Sequence, residues 1–270
     1  MASSIPPQFA SYDLKHTRPF SHHAPASGWE PLDDPKIIQS PIEYSLIFVV
    51  DRDQDKVLLG LKRRGMGVNL YNGFGGKPEK SETMLQCAAR ELQEEAGIAS
   101  SPGGLVYKGV LYSARPRSNK DPTDDVKIMI KVHFFACTAW SGIPQTSEEM
   151  IPQWFKIWKG AQAERSDRGH SPLPVDQMWP EASFYLEPVL RSILDGHDDE
   201  LFLGRINYEL LSKREAPTSL PALDGLTIQA DPCADQDDRA ERLDGWWMVL
   251  IRKSEAIDEA SMPCQHDWDV

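Results

Sequence analysis

Glu91, Glu94 and Glu95 stand directly behind Arg90, and a glycine-rich turn, "NGFGGK" (72 to 77), precedes them. The stretch "GGKPEKSETMLQCAARELQEEAGI" (75 to 98) holds eight charged side chains among twenty-four. Glu82 is the fourth acid in what reads as one helix, running from an N-cap at Ser81 to a C′ glycine at Gly97. At about 100° per residue, Glu95 lies near 40° and Glu94 near 300° from Glu91, so these three carboxylates share a face. Leu85, Ala88, Ala89, Leu92 and Ala96 fall between roughly 60° and 160° and form a separate apolar stripe. Acids on a helix usually make a solvated face. Here like charges at i, i+4 repel, and Glu94 and Glu95 sit where the helix dipole disfavours anions. A hard divalent cation turns both liabilities into ligands, because Mg²⁺ prefers carboxylate oxygen and shares its shell with substrate phosphates. Arg90 is placed to orient a carboxylate, and the glycines let the main chain approach a ligand.

The elements that must hold these groups are legible as strands and helices. "YSLIFVV" (44 to 50) and "KVLLGLK" (56 to 62) read as a hairpin across the polar turn "DRDQD", and "GGLVYKGVLYS" (103 to 113) pairs with "VKIMIKVHFFACTAW" (126 to 140) across the loop "ARPRSNKDPTDD". "QWFKIW" (153 to 158) gives a further strand. "PEASFYLEPVLRSIL" (180 to 194) gives a helix opened by an N1-type proline, and "LFLGRINYELL" (201 to 211) a closing strand. The expected fold is α/β, with a mixed sheet and at least two helices spanning 43 to 214.

Residues 1 to 42, rich in Pro, Ser and His, read as a flexible leader, and 215 to 270 as an acidic C-terminal extension. Residues 223 to 270 carry twelve acidic against four basic side chains, so this segment supplies -8 of the chain's -12. Its apolar island "GWWMVLI" (245 to 251) could add an edge strand, cover the body, or bind a protein partner.

With 29 Lys and Arg against 41 Asp and Glu, attraction to duplex nucleic acid or anionic membrane is not expected. Cys87, Cys137, Cys233 and Cys264 show no metal-site spacing and read as free thiols in a reducing compartment. No run has the length of a membrane span or of a secretory h-region. The expectation is an intracellular monomer, in the cytoplasm or also in the nucleus or mitochondrion.

The arrangement Gly76, five residues, Glu82, seven residues, then Arg90-Glu91-Leu92-x-Glu94-Glu95-x-Gly97-Ile98 resembles the Nudix box, Gx5Ex7REUxEExGU, at every fixed position. The resemblance implies the Nudix fold, an α/β/α sandwich around a mixed sheet, and Mg²⁺-dependent hydrolysis of a nucleoside diphosphate linked to another group, with Mn²⁺ as the alternate ion. "KVLLGLKRRGMGVNLYNGFGGK" (56 to 77), "GIPQTSEEMIPQWF" (142 to 155) and "MWPEASFYLEPVL" (178 to 190) are similar to the branch of the family that hydrolyses oxidised purine nucleoside triphosphates.

That similarity implies metal ligands at Glu91, Glu94, Glu95, the Gly75 carbonyl and Glu149, with Arg90 beside them. It also implies cleavage of substrates such as 8-oxo-dGTP to a monophosphate and pyrophosphate, sanitising the nucleotide pool. Spacing does not decide which glutamate is the base. For the purine, it implies hydrogen bonds from Asn72 and Glu181 and stacking on Trp179. Lys62 and Ser45 align with pocket residues, while Met66 and Tyr71 stand where relatives carry aromatic side chains. Where relatives have a second acid after Trp-Pro, this chain has Ala182, which narrows or shifts specificity. Two alternatives follow: a Nudix hydrolase of ADP-ribose, NADH or another dinucleotide, or a nucleotide-sensing interaction module.

Overall fold

The computed structural model describes residues 5–12, 14, 18–25, 28–37, 40–116, 126–157, 173–210, 227–228 and 241–252. The middle of the sheet is built on runs of successive apolar side chains. β1 (Arg18–His23) is followed by β2 (Ile42–Asp51), in which Leu46, Phe48 and Val50 point to one face and Ile47 and Val49 to the other. All five are buried, the pattern of a strand covered on both faces. β3 (Lys56–Lys62) and β4 (Tyr71–Asn72) come next. α1 (Met84–Ala96) then leads into β5 (Ala99–Ser100), β6 (Leu105–Pro116), β7 (Lys127–Cys137), β8 (Trp140–Ser141) and β9 (Met150–Lys156). The chain continues through α2 (Ala182–Leu194), β10 (Glu200–Leu210), β11 (Thr227–Ile228) and β12 (Glu241–Arg252).

Ten strands form one mixed sheet in the order β1-β12-β10-β6-β7-β2-β3-β4, with β9 also paired to β3 and β11 to β12. β2 runs parallel to β7 and β10 parallel to β6, while the other pairs in it are antiparallel. α1 packs through Met84, Cys87, Ala88, Leu92 and Ala96 on the face carrying Ile47, Val49, Phe135 and Cys137. α2 covers the opposite face through Tyr185, Leu186, Val189, Leu190 and Ile193. The result is a helix–sheet–helix sandwich, as expected. No helix of the described residues is long and apolar enough to cross a membrane.

Several boundaries differ from the sequence reading. α1 is capped by Thr83, not Ser81: the Thr83 side chain accepts from the Gln86 amide, and the Gln86 side chain accepts from the Thr83 amide. Ser81 takes a left-handed conformation (φ 68°) in the turn before the helix. Leu85, expected in the buried stripe, is exposed, and Met84 and Cys87 occupy that face. Pro180 precedes the N-cap Glu181 instead of opening α2.

The sheet also extends past 43–214 at both ends. β1 comes from the stretch read as a leader, and the apolar island 245–251 lies inside β12, between β10 and β1. β10, read as a closing strand, is therefore interior. Phe9 is buried against Trp247, with ring centroids 5.1 Å apart, so the two ends of the chain share one apolar cluster. Most of the acidic extension, with Cys233 and Cys264, lies outside the described residues.

Candidate active site

The glycine turn is pinned along β2. The Ile47 amide donates to the Phe74 carbonyl (2.6 Å), the Phe74 amide to the Ile47 carbonyl (3.0 Å), and the Ser45 amide to the Gly76 carbonyl (2.9 Å). A Cβ on Gly75, whose φ is +149°, would stand 2.1 Å from the Ser45 carbonyl oxygen, so the close approach requires glycine. The Gly75 amide in turn donates to Oε2 of Glu95 at 2.8 Å.

This contact turns Glu95, at the edge of the acidic face of α1, inward. Glu95 is 3% exposed, and burial pushes its carboxyl up to about 7, opposed by the Gly75 amide and Lys62. Burial also raises Glu91, offset in part by Arg90, while the Glu94 and Glu149 charges push it further up. Glu94 lies outward, with Oε2 accepting from Arg90 Nη1 at 3.1 Å.

Arg90 ties the group together. Its Nε and Nη2 grip the two oxygens of Glu82 (3.0 and 2.9 Å), Nη1 reaches Glu91 Oε1 (2.8 Å), and Nη2 also donates to the Lys77 carbonyl (3.1 Å). The fork geometry is what lets one side chain serve the helix and the turn together. Lys62 Nζ lies between Glu95 Oε1 (3.6 Å) and Glu149 Oε2 (3.7 Å). Arg64 donates to Glu149 Oε1 at 2.5 Å and holds that carboxyl below its ordinary range.

The donor set suits a hard divalent cation. Only oxygen donors are offered by Glu91, Glu94, Glu95, Glu149 and the Gly75 carbonyl, and neighbouring carboxylates add to the upward push of burial on Glu91 and Glu95. Among the described residues no three acidic, Cys or His side chains already converge as a ready ligand group; Arg90, Lys62 and Arg64 supply the counter-charge.

Beside the turn opens a cavity of about 450 Å³. Leu46, Leu111, Val132, Phe134 and Tyr185 give it an apolar lining, and Lys62, Asn72, Glu149 and Glu181 bring polar groups to it. One wall is built around Arg115. The guanidinium carbon lies 4.7 Å from the Trp179 ring centroid and 4.5 Å from that of Tyr208, and Nη2 pairs with Glu241 Oε2 at 2.6 Å. The Tyr208 hydroxyl donates a short hydrogen bond to Glu181 Oε2. Burial raises the Glu181 carboxyl, opposed by Arg115 and Tyr208.

The NUDIX domain profile matches residues 43–173. The oxidized purine nucleoside triphosphate hydrolase of Danio rerio is 33% identical to the chain over 169 residues, 61% of this chain and 85% of that protein. The protein of the same name from Mus musculus is 31% identical over 152 residues, 55% of this chain and 79% of that one. The chain belongs to the Nudix family. It is accordingly a hydrolase acting on nucleotide substrates, of a family that generally uses divalent metal ions. The crystal structure of a mutator MutT protein from Bacillus halodurans is similar at 26% identity, covering 63% of this chain and 94% of that one, with a TM-score of 0.42.

In this Nudix hydrolase, Lys62, Met66, Asn72, Gly75, Glu149, Trp179 and Glu181 all line the cavity, whereas Glu91, Glu94, Glu95 and Arg90 stand behind the glycine turn. Ser45 lies at the cavity wall, but its hydroxyl is engaged by the Gly76 amide (3.3 Å) and by Cys87 Sγ (3.4 Å), so it buttresses the turn. Asn72 Oδ1 accepts from the Gly73 amide at 2.9 Å. Tyr71 donates to Gln153 and packs edge-on against Phe155. Ala182 is buried in the core that carries α2, and leaves Glu181 as the acid at the cavity after Trp-Pro. Ser113, Arg115, Tyr208 and Glu241 escaped the sequence reading. Alternation of Leu111, Ser113 and Arg115 along one face of β6 was the available signal for the first two.

Proposed function

We propose that this Nudix hydrolase cleaves oxidised purine nucleoside and deoxynucleoside triphosphates, such as 8-oxo-dGTP, to the monophosphate and pyrophosphate, with Mg²⁺ or Mn²⁺. The observation that carries the reading is a 450 Å³ apolar-lined cavity edged by Asn72, Trp179 and Glu181, with Gly75 in its wall and the Gly75 amide bonded to the buried Glu95 of α1. The similarity to two oxidized purine nucleoside triphosphate hydrolases supports it.

The metal, when bound, neutralises polyphosphate charge and lowers the pKa of bound water. Glu91, Glu94, Glu95, Glu149 and the Gly75 carbonyl would hold it. Arg90 orients Glu91 and Glu94, and the Gly75 amide fixes the oxygen of Glu95 that does not face Lys62. Lys62 and Arg64 line the cavity at its acidic end, where an incoming polyphosphate meets cationic groups in a chain of net charge -12.

The reading is tested by following monophosphate and pyrophosphate release from 8-oxo-dGTP, dGTP, 2-oxo-dATP and ADP-ribose in Mg²⁺. The expected outcome is a strong preference for an oxidised purine triphosphate. Preference for ADP-ribose would reassign the cavity to a dinucleotide, and tight binding without turnover would favour a sensing module.

A further inference from the structure

Three polar groups that line the cavity are left with bonding capacity. Ser113 is 5% exposed, and its hydroxyl has no hydrogen-bond partner among the described residues. Arg115, two residues on along β6, spends Nε (3.1 Å) and Nη2 (2.6 Å) on one oxygen of Glu241, which leaves Nη1 without a partner among the described residues. Glu181 gives Oε2 to Tyr208 and keeps Oε1. All three line the same cavity. With Trp179 and Tyr208 against it, the guanidinium has little freedom to turn, so its remaining donor has a fixed place.

We propose that Arg115, with Ser113 and Glu181, reads the six-membered ring of the purine and selects a 6-oxopurine over a 6-aminopurine, Glu241 of β12 acting as the positioning residue that holds the guanidinium. The proposal rests on the reading that this cavity takes the base. A guanine-type edge carries the O6 acceptor next to the N1–H and N2–H donors, which matches an arginine donor beside a carboxylate acceptor. An adenine-type edge would set its amino N–H against the guanidinium N–H and leave both unpaired. Arg115 packs over the Trp179 ring and both line the cavity, so the guanidinium stands beside the space a base would fill. Because Glu241 lies outside residues 43–173, the C-terminal strand takes part in selectivity through Arg115.

The test is calorimetric titration of the full-length chain with 8-oxo-dGMP and 8-oxo-dAMP, which share the oxidised five-membered ring and differ at the six-membered ring. The wild-type chain is expected to prefer 8-oxo-dGMP by roughly 10- to 100-fold. The double variant Arg115→Met/Glu241→Gln, which removes both charges of the buried pair together, should lose most of that preference without a change in circular dichroism. Glu241→Gln alone, which keeps Arg115 but loosens it, should lose part of it, and Arg115→Lys, which lacks the fork, should not restore it. Equal binding of both nucleotides by the wild-type chain, an undiminished preference in the folded double variant, or an equal loss of both ligands would overturn the proposal. If the double variant does not fold, the two single variants decide by the same ratio. Binding of monophosphates needs no turnover, so absent triphosphate hydrolysis would contradict the proposed reaction while leaving this preference measurable.

Discussion

A Cβ atom on Gly76 would stand 2.4 Å from Oε1 of Glu91 and 2.6 Å from its carboxyl carbon. The obstacle is the far end of a flexible side chain, so the backbone can accept an alanine while the carboxylate cannot keep its place. Gly76→Ala is expected to leave the melting temperature within a few degrees and to lower kcat about 10²-fold, the usual cost of displacing a reacting group by an ångström. Thermal melts beside initial rates in Mg²⁺ check this, and full activity would show that the position of Glu91 is not critical.

Arg90 grips Glu82 through two hydrogen bonds and reaches Glu91 with the remaining nitrogen. Lysine has one ammonium and no fork, so Arg90→Lys cannot serve both. The variant should lose about 1–3 kcal/mol of stability, since it leaves part-buried carboxylates short of donors, and its activity should fall by more than that of Glu82→Gln. Urea denaturation and kcat/KM for the two variants give the comparison; equal, small effects would mean that Arg90 is only a surface pair.

Lys108 is 1% exposed, at the β-bulge of β6, and its Nζ donates to the His197 carbonyl just past α2 (2.7 Å). Burial draws its pKa down to about 8, against the pull of Asp198 and Glu200. In the unfolded chain the group titrates near 10.4. Between these pH values the unfolded chain binds more protons, so this residue makes stability rise with pH from about 8 to about 10.4. Below that window its penalty, roughly 3 kcal/mol, is fully present. Lys108→Met should flatten this part of the profile in urea melts; an identical slope in the variant would rule the assignment out.

Burial also pushes the Cys87 and Cys137 thiols up to about 11. Both should resist iodoacetamide at neutral pH in the native chain and react once it is unfolded, because the thiolate is the attacking species. Peptide mapping by mass spectrometry separates them from Cys233 and Cys264; rapid native labelling at Cys87 would mean that the contact between Ser45 and the helix opens readily.

The acidic stretch was legible because its chemistry is written in spacing. Glycine, Glu82, Arg90 and the three further glutamates have fixed intervals, and the inward helix face follows from helical geometry. The start of α1 was misplaced because Ser81 and Thr83 are both good caps. Only Thr83 has a glutamine three residues on, and the reciprocal bonds to Gln86 decide the matter. The end of β6 was hidden for a related reason: Arg115 and Pro116 look like loop residues until the sheet supplies Glu241 as a partner. β12 illustrates what composition conceals. An acidic tail suggests solvation, yet "WWMVLI" (246 to 251) supplies apolar side chains to both faces at once, and such a run needs a sheet covered on both sides.

The measurement that bears most directly on the central claim is the rate of 8-oxo-dGTP hydrolysis by the wild-type chain and by Glu95→Gln, with circular dichroism recorded on the same samples. Glu95 joins the glycine turn to the acid cluster, and its amide replacement keeps the size and removes the charge. Monophosphate and pyrophosphate are expected from the wild-type chain, and a loss of about 10²-fold or more in a folded variant. Normal turnover in folded Glu95→Gln would contradict the central claim.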